Sequence, residues 1–487
     1  MKKNKVQNLN ISNPLFLVLL GLNVSISSKI FSQEKVESSA PTKNSTIQFQ
    51  ANSNPNDTSQ PVLTLEASMN MAEVYSFTAK MAQQEFYATE AKEDAVFRGM
   101  LPTVSISGNY MQNSSDVNPL VGNSAAMAYG FPDTTSSTGT LSVTQPIIGL
   151  LPMFYSLQQA SALTRAALQS RIQSRIDARF YGAQAFINLQ KADQLLKAAK
   201  SAMEVSEKQL NDGNAQFNAG RLTNADLLKF KLDFENSKTS VLQAQTTYKV
   251  ALITLAEAIG IKNSNAISVT SSEKSVWEMK SQKLPSLENI LYPGLARRND
   301  LLAAKENVEA AKQGKNYSYT TYLPSLNFVA NYTRNFMAKD ATIAGQNYSA
   351  SSIQDQFSYG IQLSWVLLDW GVRQAQISGA VAAEQKAKYN LENLNLNARI
   401  DITNSYLQLQ NAIQVLDSAK VSVQYAQDVY SQMKARFDNG QVTATDLITA
   451  ANDQTNARAN LANARGSLDL AWITFQKSTG SKLTSLN

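Results

Sequence analysis

The chain has 487 residues, with 44 Lys and Arg against 38 Asp and Glu, and contains neither cysteine nor histidine. The missing cysteine excludes disulfides, thiol catalysis and a lipidated N-terminal cysteine, and the missing histidine removes the commonest general base and metal ligand. A carboxylate-based enzyme stays open as a class, but the acids stand singly, with Glu90, Glu93 and Asp94 the densest group. That pattern reads as a solvated helix face, so no catalytic residue, metal or cofactor is expected. Length alone suggests about three domains, yet proline is absent between Met153 and Leu284 and after Pro324. Few, elongated elements are the better expectation.

At the N-terminus Lys2, Lys3 and Lys5 precede the apolar run Leu15–Leu22, which is too short to span a bilayer and reads as an export signal over residues 1–32. Removing it takes four lysines and no acid, so the formal charge falls from +6 to +2 and the basicity is partly a targeting device. Residues 33–62, rich in Ser, Asn, Thr and Gln, read as a flexible leader. No later segment carries 18 uninterrupted apolar residues, so no membrane-spanning helix is expected.

From Leu63 to about Phe97 the apolar spacing is helical, and Gly99 and Pro102 stop it. The period then changes to two. Val104, Ile106, Gly108 and Tyr110 alternate with Thr103, Ser105, Ser107 and Asn109, which predicts a strand with one apolar and one polar face. A long loop over 112–137 leads to a second alternating run, with Leu141 and Val143 set against Thr140, Ser142 and Thr144. After Pro152 a helical stretch runs to about Asp212, a reach of ~90 Å at ~1.5 Å per residue. A second helix is expected from Asn224 to Ile259, closed by Gly260, and residues 261–285 read as an irregular linker with Trp277 as its large anchor.

The second half copies the first. Leu323-Pro-Ser-Leu-Asn-Phe-Val-Ala-Asn-Tyr332 overlays Leu101-Pro-Thr-Val-Ser-Ile-Ser-Gly-Asn-Tyr110 at an offset of 222 residues. A helix over about 287–312 precedes this strand. A long loop follows to Gln356, then an alternating run from Phe357 to Trp365. Long helices over 372–436 and from Thr443 to about Ser478 complete the unit. The repeats are therefore expected at 63–260 and 286–480, with a tail at 481–487.

Between the long helices lie twin stretches, Phe217-Asn-Ala-Gly220-Arg-Leu-Thr223-Asn-Ala-Asp226-Leu-Leu228 and Phe437-Asp-Asn-Gly440-Gln-Val-Thr443-Ala-Thr-Asp446-Leu-Ile448. A glycine able to take positive φ, then Thr three residues before Asp, suits a tight helix–turn–helix tip. Small residues, such as the alanines at 444, 450, 451, 457, 459, 462 and 464, allow close helix packing, and thin apolar seams suit a tube wall wet on both sides. The strands have the length and alternation of outer-membrane strands, with Ile106, Tyr110, Val143, Tyr322, Phe328, Tyr332, Tyr359, Leu363 and Trp365 expected on the lipid side. Four strands cannot close a barrel and open edges are not tolerated in lipid, so three copies giving twelve strands are the simplest closure.

This order of helix, Leu-Pro strand hairpin and long helix pair, duplicated around twin tips over residues 63–480, resembles the TolC family of outer-membrane efflux proteins. The resemblance implies a mainly α chain with membrane β-strands, forming a homotrimer. Its twelve-stranded β-barrel in the outer membrane would continue into a twelve-helix α-barrel in the periplasm. It implies an exit duct for small molecules in a tripartite efflux system, with a periplasmic adaptor (membrane fusion) protein and an inner-membrane pump as partners and no nucleic acid. The exit duct of type I protein secretion is the alternative within the family. A periplasmic adaptor, or a helical bundle with a structural role, is the alternative outside it, and no lipoyl-like segments flank the hairpins to favour the adaptor.

Carried over residue by residue, Gly220, Arg221, Gly440 and Gln441 match the adaptor-contact tips, and Asp446 matches an acidic residue narrowing the periplasmic entrance. Three copies around an axis would raise its carboxylate pKa, whereas Asp226 is expected mainly to interact with the dipole at its helix N-terminus. The chain departs from its relatives in three places. Thr449 stands where some carry a second acidic ring, and Phe437 and Val442 replace a Tyr and an Arg that hold the entrance shut. A closed state held through Arg221 or Arg436, or a leakier pore, is the resulting expectation. Substrate choice is left to the pump.

Overall fold

The computed structural model describes residues 62–113, 134–261, 268–269, 284–336, 341–343, 346–348 and 355–481. The export signal, the leader up to Pro61, Trp277 and most of both strand-connecting loops lie outside the described residues. Val62, assigned to the leader, instead opens a short strand, β1 (Val62–Leu63). It pairs in parallel with β4 (Ser268–Val269), so the linker contributes a strand to the first repeat.

Each predicted entry helix is two helices. The first divides into α1 (Leu65–Tyr75) and α2 (Phe77–Arg98), because Ser76 leaves helical geometry and caps α2 by accepting from Ala79 N at 3.3 Å. Its counterpart divides at Arg298 into α5 (Leu287–Arg297) and α6 (Asn299–Thr320). The Arg298 guanidinium donates to Asp300 at 2.6 and 3.0 Å and to Asp401 at 3.4 Å, which pins the elbow. A periodicity that survives a one-residue break looks continuous in sequence. The elbow is visible only in what Arg298 reaches.

The strands β2 (Thr103–Asn113), β3 (Thr134–Pro146), β5 (Ser325–Asn335) and β8 (Asp355–Ser364) form one antiparallel sheet in the order β2-β3-β5-β8. The loop between β5 and β8 carries a small hairpin, β6 (Ala341–Ile343) with β7 (Gln346–Tyr348). Register aligns the apolar alternation across all four strands. Ile106 stands opposite Leu141, Leu141 opposite Tyr332 and Tyr332 opposite Phe357. The next row runs Val104, Val143, Ala330 and Tyr359. Since side chains alternate between faces, the central rows of one face are apolar, with Gln145 towards one end and the Arg334–Asp355 pair at the other, while the opposite face carries mostly Ser, Thr, Asn and Gln.

Below the sheet run α3 (Leu150–Asn218), α4 (Asn224–Ile259), α7 (Val372–Asp438) and α8 (Ala444–Ser478). At ~1.5 Å per residue, α3 is about 100 Å long. It is the spine of the layer, packing on α1, α2, α4, α6 and α8, while α7 packs on α5, α6 and α8. Two clusters anchor the middle. One gathers Phe186, Ile187, Leu189, Leu255 and Ile259 under α1, the other Leu409, Leu416, Leu468, Trp472 and Phe475 beside α5. The crossing of short helix on long helix needs glycine in both copies, on opposite partners. A Cβ on Gly182 of α3 would lie 2.5 Å from Ala72 Cβ, whereas in the second copy Gly294 of α5 accommodates Ile402 of α7.

Among the described residues β2 and β8 each pair on one side only, and α4 exposes Leu228, Leu232, Leu242, Val250 and Ile253, which helical spacing puts on one face. On α7 the stripe comprises Tyr389, Leu396, Ile400, Leu407 and Tyr425. Among the described residues no helix is long and apolar enough to cross a membrane.

Gly182→Val should cost the α1 docking about 1–3 kcal/mol or more, because the added methyls meet Ala72 and the Ser68 backbone. Gly379→Ala on α7, where a Cβ meets nothing within 4 Å, should instead stabilise by about 0.5–1 kcal/mol. Local opening free energies from amide hydrogen exchange in purified protein read both.

Candidate functional site: the paired hairpin tips

Both tips end their long helices in the same way. Gly220 and Gly440 take φ of +74° and +68°, a conformation open to glycine and costly for other residues. Arg221 N then donates to Gln216 O and Gln441 N to Arg436 O, each at 2.9 Å, the Schellman closure of a helix. No atom would meet a Cβ at either glycine within 4 Å. Gly220, Arg221, Gly440 and Gln441 are all exposed.

The following helices start on threonine caps, with Asp226 N donating to Thr223 Oγ1 at 3.1 Å and Asp446 N to Thr443 Oγ1 at 3.3 Å. Here the copies diverge. Asp446 Oδ2 accepts from Thr443 Oγ1 at 2.7 Å and Thr443 N at 2.9 Å, a complete capping box. These bonds hold its carboxyl below the usual carboxylate range, so in the single chain its pKa moves opposite to the rise expected from a crowded ring. Asp226 Oδ2 accepts from Thr223 Oγ1 at 2.7 Å, and its other oxygen accepts from Lys229 at 3.3 Å. Its carboxyl is lowered too, chiefly by the Thr223 hydroxyl.

Lys229 also donates to Thr445 Oγ1 at 2.9 Å, which ties the first hairpin to the second. Deeper in, Asn452 Nδ2 donates to Asp233 Oδ1 at 3.3 Å, and burial pushes the Asp233 carboxyl up against that bond. Between these polar ties sits an apolar plug. Phe230 meets Phe437 edge-on at 5.8 Å with 76° between the rings, joined by Ala444 and Leu447. Phe230 fits because position 213 is glycine, where a Cβ would approach its ring to 2.9 Å. Phe437 is therefore a core residue, whereas its copy Phe217 is exposed.

The expected clasp through Arg221 or Arg436 is not present in the single chain. Among the described residues neither makes a side-chain hydrogen bond or ion pair; the bond between the two tips comes from Lys229. Val442 lies against the plug. Thr449 is exposed and turns its hydroxyl back to Thr445 O at 2.9 Å. Nothing in the sequence singled out Lys229, Asp233 or Asn452. The signal was the loss of symmetry at Gly213 and Phe230, whose copies are Met433 and Ala450. Among the described residues no group of three or more His, Cys, Asp or Glu could hold a metal.

At the opposite end, Ile106, Tyr110, Val143, Phe328, Tyr332, Tyr359 and Leu363 all lie within strands on the apolar face. Two of the expected strand residues do not. Tyr322 sits in the turn after α6, and Trp365 lies one residue beyond β8. The Trp365 indole N–H donates to Tyr322 O at 3.2 Å, so these aromatics latch the turn to the end of β8.

Phe230→Ala should cost the tip about 3–5 kcal/mol, and Phe217→Ala within about 0.5 kcal/mol, read by deuterium uptake of tip peptides. Because Asp446 is lowered, its contribution to the α8 start is present above the usual carboxylate range and is lost as pH falls through its folded value. Uptake near Thr443, normalised to the intrinsic rate, should rise with acid. In Asp446→Ala that pH dependence should vanish.

The profile of the outer membrane efflux protein family matches residues 69–261 and 291–481, one segment per half. The chain is 20% identical over 417 residues to outer membrane protein TolC of Escherichia coli (strain K12), covering 82% of this chain and 80% of that protein. Among solved structures, CusC superposes with a TM-score of 0.73 at 14% identity, over 86% of this chain and 92% of CusC. The outer membrane protein VceC of Vibrio cholerae superposes at 0.69 and 16% identity, over 86% of this chain and 97% of VceC. At these identities the structures attest the fold, while the two-segment match attests the family. The chain belongs to the outer membrane efflux protein family and is a TolC-like protein of the outer membrane.

Proposed function

We propose that this protein is the exit duct of a tripartite efflux system, a homotrimer passing small molecules from an inner-membrane pump and periplasmic adaptor to the exterior. The observation that carries this is the sheet. All four strands present apolar residues to one face, yet β2 and β8 each keep one edge unpaired. Lipid tolerates no unpaired edge, so β8 of one copy pairs with β2 of the next, and three copies close about twelve strands. The apolar stripes on α4 and α7 meet in the same way, and the helices continue the barrel as a tunnel. Ile106, Tyr110, Val143, Phe328, Tyr332, Tyr359 and Leu363 face lipid. Gly220, Arg221, Gly440 and Gln441 form the adaptor-contact surface, and Asp446 lines the entrance.

Entrance control in this reading falls to the ties between hairpins. Lys229 to Thr445 and Asp233 to Asn452 hold the two tips together within one copy, with the Phe230–Phe437 contact behind them. Opening separates the tips and breaks these bonds.

Val104→Arg, on the apolar face, should block insertion at a cost of about 2–4 kcal/mol near the bilayer midplane, while Ser105→Arg on the polar face is tolerated. Outer-membrane fractionation and bilayer conductance separate the two. Equal effects from both variants contradict a lipid-facing sheet. In single-channel recordings Asp446→Asn should weaken cation preference, and Lys229→Ala should lengthen open times.

A further inference from the structure

The two repeats join strand to helix by the same latch with different chemistry. Gln145 Nε2 donates to Met100 O at 3.0 Å, and at the matching position Trp365 Nε1 donates to Tyr322 O at 3.2 Å. Past the latch the first repeat continues through Pro146, Ile147 and Ile148 into α3. The second runs through Val366, Leu367, Leu368, Asp369 and Trp370 to Gly371. Leu367 is 75% exposed, Leu368 68% and Trp370 90%. Trp370 is also the one non-glycine residue of positive φ among those described, at +54°, followed by Gly371 at +90°.

Left-handed backbone at a bulky residue is uncommon and persists only where its surroundings impose it. Here they do. Asp369 accepts from Gly371 N at 3.2 Å, Arg373 N at 3.0 Å and Arg373 Nε at 2.6 Å. Arg373 in turn stacks on the Tyr322 ring at 4.7 Å. This clasp spends backbone strain on presenting an indole outward, together with three aliphatic neighbours. Water is a poor partner for such a surface, and an indole favours the boundary between headgroups and acyl chains, where its ring is buried and its N–H is met.

We propose that the turn Val366–Trp370 is a membrane-interface anchor, seated in the phospholipid headgroup layer, with Asp369 and Arg373 as the residues that position it. The proposal rests on the reading that the apolar sheet face meets lipid, because the turn continues directly from the exposed Tyr359, Ile361 and Leu363 of β8. The occupant is the phospholipid of the leaflet nearest the helices.

The absence of native cysteine makes the test direct. Full-length Trp370→Cys, Ile106→Cys and Arg221→Cys, each labelled with an environment-sensitive fluorophore, are reconstituted into vesicles of phosphatidylethanolamine and phosphatidylglycerol. Nitroxides are placed at the headgroup or deep in the acyl chain, and iodide serves as the aqueous quencher. The label at 370 is expected to be quenched several-fold more by the headgroup nitroxide than by the deep one. The label at 221 should respond only to iodide. Adding Asp369→Ala should abolish the depth preference at 370. A label at 370 that answers only to iodide, or that is shielded from every quencher by a neighbouring copy, overturns the anchor while quenching at 106 leaves the lipid-facing sheet standing. Absence of lipid quenching at 106 as well as at 370 overturns both.

Discussion

Every backbone N–H and C=O within a bilayer must find a partner inside the protein, and among the described residues one copy of this chain leaves two strand edges without one. The outer sides of β2 and β8 present unpaired ladders some ten residues long, and the helical layer repeats the problem with apolar stripes on α4 and α7. Both deficits lie on the flanks of one layer. A single operation, adding copies side by side, removes them together. The long helices, the glycine crossings at Gly182 and Gly294 and the elbows at Ser76 and Arg298 hold the layer together within one copy.

Duplication supplied two equivalent tips, and divergence made them unequal. Asp446 is absorbed into its own helix cap, whereas Asp226 is shared with Lys229, which reaches across to Thr445. Phe230 fills the space that Gly213 leaves open and meets Phe437. The two hairpins of one copy are thus tied by a lysine from the first hairpin and an amide–carboxylate bond at Asp233. Burial favours the protonated Asp233 carboxyl, whereas its bond from Asn452 favours the ionised form.

Much of this fold was legible in the sequence, because repeats, glycine stops and period changes are local signals. The helix Asn224–Ile259 was read to the residue, since Thr223 and Gly260 mark its ends by conformational necessity. The apolar face of the sheet followed from alternation alone. Ser76 and Arg298 were missed because the helical period carries through each break. Tyr322 and Trp365 are indistinguishable from strand residues in the sequence, because aromatics at strand ends look alike whether they face outward or fasten a turn. Lys229, Asp233 and Asn452 could not be read at all. Their bonds join residues more than 200 positions apart, and no local pattern records them.

The central claim is that the two free edges exist to pair with each other between copies. Electron cryomicroscopy of the detergent-solubilised protein, at a resolution that traces strands, tests it most directly. The account predicts three copies around an axis, β8 of each antiparallel to β2 of the next, and an uninterrupted lumen from the sheet to the hairpin tips. A single copy with both edges open, or an assembly joined through other surfaces, would contradict it.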